Sequence, residues 1–256
     1  MSVYTLVFSP TGGTKKVADV FANSFCTEST CINLAEHDKD FSAVSFQAED
    51  ICIAAVPSYG GRVPAAAVSR LQQMHGNSAR AILIVVYGNR AYDDTFAELH
   101  DTLTVAGFCC VAAVAAVAEH SIMRQFAAGR PDAQDEKELA DFARTIRSRM
   151  DSGALSTRLN LPGNRPYREY NGVPMKPQAG KNCTRCGLCA RECPVGAVSA
   201  ADPSKTDTAQ CISCMRCIAV CPQKARNVSK VLLTAGGMKL KKVCSSHKNN
   251  ELFLSQ

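Results

Sequence analysis

The sequence predicts an α/β protein in which a doubly wound parallel sheet of five strands is followed by a small α+β unit rich in cysteine. Two observations lead to this prediction. Short, near-continuous apolar runs alternate with amphipathic stretches through residues 1–150, as in parallel sheets that are buried on both faces. A cysteine pattern is then repeated near the C-terminal end, where the hydrophobic periodicity stops.

The elements of the sheet can be placed in order along the chain. The predicted strands are residues 3–8, about 31–34, 51–56, 81–86 and 108–118. The first helix follows residue 14, because Val17, Phe21 and Phe25 fall on one helical face. Further helices are predicted at about 64–73, 93–106 and 132–150. Ligands of such sheets bind beyond the carboxyl ends of the strands, so the loops there are the candidate site.

The first of these loops, residues 9–14 with the sequence Ser-Pro-Thr-Gly-Gly-Thr, lies between a predicted strand and a helix N-terminus. Free backbone N–H groups and the positive end of the helix dipole favour a phosphate at that position. The loop contains neither the Walker A pattern nor the dinucleotide fingerprint. An ordinary strand–helix turn without a ligand is the alternative interpretation. Two further loops, residues 57–64 and 87–94, carry glycine and tyrosine after the next buried strands.

Residues 9–14 are similar to the phosphate loop of flavodoxins, [ST]-x-T-G-x-T, whose hydroxyls hold the phosphate of flavin mononucleotide (FMN). Residues 1–150 accordingly resemble a flavodoxin-like domain, and the resemblance implies an FMN site. Tyr59 and Tyr92 are the expected stacking residues, with Tyr87 as a third candidate, unless these rings only pack the loops. The candidate FMN-binding residues are Ser9, Thr11, Gly12, Gly13, Thr14, Pro57, Ser58, Tyr59, Gly60, Gly61, Tyr87, Gly88, Asn89, Arg90 and Tyr92.

Two arginines are expected to tune the flavin. A cation beside the ring stabilises the anionic hydroquinone, so Arg62 and Arg90 predict a less negative couple than that of acidic flavodoxins. The alternative is that they point to solvent or pair with Asp93 or Asp94. His120 follows the last strand and could face the same site, but the interpretation that we favour is a hydrogen-bonded loop histidine.

The cysteine pattern C-x2-C-x2-C-x3-C-P occurs twice, in residues 183–194 and 211–222. It resembles the pattern of bacterial-type ferredoxins with two [4Fe-4S] clusters, in which the fourth cysteine of each run binds the other cluster. The resemblance implies one ligand set made of Cys183, Cys186, Cys189 and Cys221, and another made of Cys193, Cys211, Cys214 and Cys217. Structural zinc is the alternative, although two complete runs exceed common zinc patterns. Together with the strings at residues 60–64 and 87–90, the chain resembles flavodoxin–ferredoxin fusion proteins of anaerobic bacteria and archaea.

Composition divides the remainder of the chain. A flavodoxin-like domain at residues 1–150 is followed by a linker at 151–180 rich in proline and glycine, which is either mobile or draped over a domain. The cluster domain covers residues 181–228, and a basic tail covers 229–256. We expect the tail to be a solvated or docking face, with a nucleic-acid patch as the alternative.

Net charge and the number of cysteines indicate the cellular compartment and the kind of partner. Fourteen cysteines, no signal peptide and no apolar run long enough to span a bilayer predict a cytoplasmic protein whose thiols bind metal. The net charge of +6 would be offset by two clusters and one FMN, each carrying about −2, so no nucleic-acid partner is required. The basic cluster domain favours an acidic redox partner. The oligomeric state is left open by the sequence.

Two functions from different classes follow. The first is an electron-transfer protein that passes electrons between two [4Fe-4S] clusters and FMN. The second is a flavoenzyme that reduces a small substrate at the flavin, with the clusters as its internal electron supply and His120, Arg90 or Tyr92 as a substrate-binding group or acid. A redox-sensing regulator is a third class, against which the absence of a DNA-reading motif argues.

Overall fold

The computed structural model describes residues 1–255, and its main feature is a sheet with five parallel strands. These are β1 (Val3–Val7), β2 (Thr30–Asn33), β3 (Ile51–Pro57), β4 (Arg80–Tyr87) and β5 (Cys109–Val117). They are arranged in the order β2-β1-β3-β4-β5 with parallel pairing throughout. This is the order of flavodoxin-like doubly wound sheets, so the predicted fold class is confirmed.

Helices cover both faces of the sheet. They are α1 (Gly13–Phe25), α2 (Ala65–Gln73), α3 (Thr95–Val105) and α4 (Ala133–Asp151). Helices α1 and α4 pack together on one face, where Phe21 and Ile146 are fully buried. Helices α2 and α3 cover the other face through Leu71 and Phe96. Burial on both faces explains why β3 and β4 are apolar along almost their whole length.

The sheet also has a sixth strand that the sequence analysis did not predict. In the segment expected to be a basic tail at residues 229–256, the described residues form helix α7 (Lys230–Cys244) and strand β8 (Glu251–Leu254). Strand β8 pairs antiparallel with β5 and covers the edge that β5 would otherwise expose. Asn250 fixes the position of β8 beside β5, because its Oδ1 accepts a hydrogen bond from the Val117 N–H at 2.9 Å. Four residues after a lysine- and asparagine-rich stretch carry too little periodicity to predict a strand.

The segment at 152–177 forms neither helix nor strand and runs along α3. The buried carboxylate of Asp94 accepts hydrogen bonds from the backbone N–H groups of Asn164 at 2.8 Å and Arg168 at 2.7 Å. Arg165 adds an ion pair to Asp101 at 2.6 Å. Of the two possibilities considered from composition, the structure has the draped linker.

The cysteine-rich segment is a compact unit closed by a short antiparallel pair. Strands β6 (Gln178–Ala179) and β7 (Arg226–Asn227) pair across its two ends, and single helical turns α5 (Leu188–Arg191) and α6 (Arg216–Ala219) lie between them. Each turn carries the third cysteine of its run. Within residues 1–255, no helix has the length and apolar character needed to cross a membrane.

Candidate cofactor sites

A cavity of about 550 Å³ lies at the carboxyl edge of the sheet, and we refer to it as the edge cavity. Its volume is within the range of sites that bind one small molecule. The structure brings most of the predicted FMN-binding residues to its wall: Thr11, Gly13, Thr14, Pro57, Ser58, Tyr59, Gly60, Tyr87, Gly88 and Arg90. The loops that follow β1, β3 and β4 therefore converge on one space, as the fold requires.

The first loop delivers the N-terminus of α1 to this cavity. Gly12 has a φ of +95°, and Gly13 begins the helix, so unpaired backbone N–H groups stand at the cavity wall. Thr11 and Thr14 line the cavity, whereas Ser9 and Gly12 do not. The hydroxyl of Ser9 instead accepts the backbone N–H of Lys15 at 2.8 Å and stabilises the loop itself.

Glycine is required at two points where other groups approach the backbone. A Cβ atom at Gly60 would overlap the ring of Tyr170, which comes from the draped linker. A Cβ atom at Gly88 would lie 2.8 Å from the Cα and Cβ atoms of His120. Both contacts close the rim of the edge cavity, so these glycines serve the packing of the cavity walls as well as backbone access.

Gly61 and Asn89, which are two of the predicted FMN-binding residues, do not line the cavity. Gly61 packs against the side chain of Asp93, which leaves no room for a ligand at its Cα. Asn89 is buried, and its Nδ2 donates to the carbonyl oxygens of Cys244 at 2.7 Å and Ser246 at 2.8 Å. Asn89 therefore binds the end of α7, which the local sequence could not indicate because the partner lies more than 150 positions later.

Tyr92 is not a stacking residue in the edge cavity, which corrects the prediction. Its ring packs edge-on against Tyr87 and Phe96, with 5.2 Å between centroids in each pair. Its hydroxyl donates to Oε1 of Glu251 at 3.0 Å, and burial together with that carboxylate raises the Tyr92 pKa. The unpredicted strand β8 supplies this partner, which explains the error. Tyr59 and Tyr87 do line the cavity.

Arg62 does not line the edge cavity, and it forms an ion pair, as the alternative interpretation allowed, although with Glu98 and not with Asp93 or Asp94. Its Nε and Nη2 donate to the two carboxylate oxygens of Glu98 at 2.8 and 2.7 Å, so the guanidinium is held on α3. Arg90 does line the cavity and pairs with Asp93, the alternative partner considered for it. A second cation, Lys239 of α7, also reaches the wall.

Sequence reasoning named only His120 from the four other parts of the wall. They are the loop after β5, residues 170–175 of the linker, residues 212–213 of the cysteine-rich unit, and one face of α7. In the first, Nδ1 of His120 accepts the backbone N–H groups of Ile122 and Met123, both at 3.2 Å. The ring proton is therefore on Nε2, and burial lowers the His120 pKa, which keeps the ring neutral at pH 7. The position of His120 after the last strand was its only signal in the sequence.

The resemblance assigns the eight cysteines of the repeated pattern to two crossed ligand sets, and the structure places members of each set near one another. Cys183, Cys186, Cys189 and Cys221 line one small cavity. In the other set, burial raises the pKa of the Cys214 thiol to about 12, and the nearby sulfurs of Cys193, Cys217 and Cys211 oppose its ionisation further. Cysteine thiolates are the ligands that iron–sulfur clusters take, so the donor chemistry of these cysteines fits such clusters.

The second cysteine set adjoins the edge cavity. Ile212 and Ser213, which stand between Cys211 and Cys214, line that cavity. Tyr59 lies between the two sites: burial raises the pKa of its hydroxyl well above the usual value, and Cys214 contributes to the shift. Arg216 donates to the carbonyl oxygen of Pro10 at 3.2 Å and attaches the cysteine unit to the first loop. Cys186, in the first set, is exposed on the far side.

Comparison with known proteins gives a family for the cysteine-rich unit. Residues 182–226 match the family described as 4Fe-4S dicluster domain. A curated relative, one component of an ion-translocating oxidoreductase complex of Methanosarcina acetivorans, is 36% identical over 55 residues, which are 21% of this chain and 21% of that protein. The matched region thus spans about a fifth of that relative.

Among solved structures, the flavodoxin of Streptococcus pneumonia TIGR4 is 18% identical, with a TM-score of 0.40, over 58% of this chain and 99% of that one. Rubredoxin oxygen:oxidoreductase of Desulfovibrio gigas is 19% identical, with a TM-score of 0.42, over 59% of this chain and 36% of that one. The fold assignment rests on the strand order given above. The expected combination of a flavodoxin-like sheet with a 4Fe-4S ferredoxin-type unit is confirmed.

Proposed function

We propose that this chain is an electron-transfer protein that holds FMN in the edge cavity and two [4Fe-4S] clusters in the crossed cysteine sets. The observation that carries the proposal is that Ile212 and Ser213 line the edge cavity while their neighbours Cys211 and Cys214 belong to a cluster set. Because adjacent Cα atoms are about 3.8 Å apart, the two cofactor sites are neighbours. FMN supplies chemistry that couples one-electron carriers to two-electron reactions.

The residues of the edge cavity have distinct roles in this proposal. The N-terminus of α1 with Thr11 and Thr14 would hold the phosphate, and Tyr59 and Tyr87 would contact the ring. Linker residues 170–175 and helix α7 would shield the flavin from water. A cover made by the chain itself favours a carrier over an enzyme with an open substrate site.

One end of the proposed electron path, the first cysteine set, is partly exposed to solvent, which supports an external redox partner. In the first set Cys186 is exposed and only Cys189 is buried, whereas in the second set Cys193, Cys214 and Cys217 are buried and Cys211 is half-buried. Electrons would therefore enter or leave through the set that contains Cys186. Exposed Lys181, Arg185 and Lys224 lie near that set, so we propose a partner with an acidic surface. All fourteen cysteines, which lie within the described residues, are free, in keeping with a reducing compartment such as the cytoplasm.

The test is anaerobic purification of the full chain followed by iron, sulfide and flavin counts. We expect about eight irons, eight sulfides and one FMN per chain. Cys214→Ser should lose about half of the iron, whereas Cys31→Ser, at an exposed cysteine outside the repeated pattern, should lose none. After addition of one electron equivalent, the flavin absorbance and the electron paramagnetic resonance (EPR) signals of the clusters should both change, because the electron passes between the two kinds of cofactor. A protein with eight irons and no flavin would contradict the proposal.

A second candidate, reduction of a small substrate at the flavin, is favoured by His120. Its neutral ring carries a hydrogen on Nε2 and lines the edge cavity, so it would donate a hydrogen bond, not a proton, to the group that is reduced. An enzyme of this class would oxidise NADH or NADPH with a small acceptor and no partner protein. His120→Gln should then lower kcat at least tenfold while FMN stays bound. Equal rates in the two proteins would contradict this candidate.

A further inference from the structure

The two cysteine runs form an internal repeat, and one position that is buried in both copies carries residues of different chemistry. Beyond the shared C-P, each run continues with two residues and an alanine, and the next residue is Val198 in the first repeat and Arg226 in the second. The backbone matches: Ala197 N–H donates to Sγ of Cys193 at 3.2 Å, and Ala225 N–H donates to Sγ of Cys221 at 3.3 Å. One repeat therefore places an apolar side chain where the other places a guanidinium.

Arg226 is buried without a carboxylate partner. Only 2% of its surface is exposed, compared with 4% for Val198. Its Nε donates to Sγ of Cys189 at 3.3 Å, and its other N–H groups donate to neutral oxygens, including Oγ1 of Thr206 at 2.8 Å and the carbonyl of Pro203 at 2.6 Å. Among the ion pairs found within residues 1–255, none involves Arg226, whereas buried Arg130 pairs with Asp135.

A buried cation of this kind needs a counter-charge, since an isolated one costs several kcal/mol. Within the described part of the chain, the thiolate set around it is the source of negative charge to which Arg226 donates a hydrogen bond. Arg226 lines the cavity of that first set, which contains Cys189 and Cys221. It also acts through space on Cys217 of the second set, but without a hydrogen bond. The charge of Arg226 is thus directed mainly at the first set.

We propose that Arg226 makes the two clusters unequal, raising the reduction potential of the cluster held by Cys183, Cys186, Cys189 and Cys221 above that of its partner. A nearby cation and a hydrogen bond to a ligand sulfur both favour the more negative, reduced cluster. The inference rests on the proposed function, since it assumes two clusters. It adds an order of reduction. The cluster of the first set, which contains exposed Cys186, is reduced first, and the cluster of the second set, beside the edge cavity, is reduced second.

The test is an EPR-monitored redox titration of the anaerobically purified full chain and of Arg226→Leu. We expect two reduction steps in the unsubstituted protein. In Arg226→Leu the first step should shift to lower potential and approach the second. Arg185→Ala is the matched control, because Arg185 lines the same cavity but is exposed and should leave the steps in place. Unchanged steps in an Arg226→Leu protein with full iron content would overturn the proposal.

A measurement on the unsubstituted protein covers the case in which Arg226→Leu fails to assemble its clusters. Cysteine β-protons are shifted by the cluster to which they are bound, so NMR of the half-reduced protein reports which set holds the electron. The protons of Cys183, Cys186, Cys189 and Cys221 should reach their reduced positions first. If the β-proton signals of the other four cysteines shift first, the proposed effect of Arg226 on the order of reduction is wrong. Loss of flavin would contradict the proposed function and leave this cluster order testable.

Discussion

The carboxylate of Asp94 is expected to determine whether the linker stays on the flavodoxin-like sheet. Its Oδ1 accepts the backbone N–H of Asn164 at 2.8 Å and the side-chain Nδ2 of that residue at 3.0 Å, and its Oδ2 accepts the Arg168 N–H at 2.7 Å. These hydrogen bonds hold the Asp94 pKa below its usual value against the opposing effect of burial. Asp94→Asn keeps the shape of the side chain but replaces one carboxylate oxygen by an NH2 group, which can only donate hydrogen bonds.

The cost of that change follows from the contacts. In either amide orientation, at least one linker N–H faces another donor and loses a charge-assisted hydrogen bond of about 1.5–3 kcal/mol. The remaining hydrogen bond to the neutral amide oxygen loses its charge assistance, which adds about 1 kcal/mol. We therefore expect release of the linker to become easier by about 3 kcal/mol. At about 1.4 kcal/mol per factor of ten, the open population rises about a hundredfold.

Limited trypsin digestion after Arg168 measures this opening, since cleavage follows the open population when closing is faster than cleavage. Asp94→Asn should be cut about a hundredfold faster than the unsubstituted protein. Asp141→Asn is the matched control, because Asp141 forms exposed pairs on α4 and should change the rate less than threefold. If Asp94→Asn is cut no faster than Asp141→Asn, the linker is held by other contacts and this reasoning fails.

Three further predictions follow from the site and the sheet edge. Asn250→Ala should lower the free energy of unfolding by about 2–3 kcal/mol in urea denaturation, because it leaves the buried Val117 N–H without an acceptor; an unchanged midpoint would show that β8 contributes no stability. Arg90→Ala should make the flavin hydroquinone couple more negative in a redox titration, whereas Arg62→Ala should not change it, since only Arg90 lines the edge cavity; equal effects would contradict this placement. Burial lowers the His120 pKa, so the unfolded chain binds the extra proton first, and stability should fall as pH drops below about 6.5; His120→Gln should flatten that part of the pH profile, and a profile of equal slope would refute the assignment.

The edge cavity depends on segments that lie far from the sheet strands in the sequence. Tyr170 and helix α7 form part of the wall, and Asn89 holds the end of α7 through two carbonyl oxygens. A truncation after α4 would therefore remove both the cover of the cavity and the strand that protects β5. The full chain is the appropriate material for every cofactor measurement described above.

The sequence alone determined the features that depend on local pattern. Apolar runs with helical stretches between them predicted the parallel sheet, and the loops after its strands predicted where Thr11, Thr14 and Gly60 would meet. The spacing of cysteines, through its resemblance to ferredoxins, predicted two crossed ligand sets; Cys183, Cys186, Cys189 and Cys221 line one cavity, and their role as ligands stays a prediction. These features are encoded within a few residues or in a spacing that one cluster type requires.

Only the tertiary structure decided how these parts are joined. Arg62 bonds to Glu98 and Tyr92 bonds to Glu251, because the fold brings these charged partners from distant elements beside them. Arg226 occupies the position of the second repeat that Val198 occupies in the first, yet its significance comes from burial beside Cys189 without a carboxylate. Such pairings depend on which segments the fold brings within hydrogen-bonding distance, and a linear pattern holds no information on contacts formed between residues so far apart in the chain.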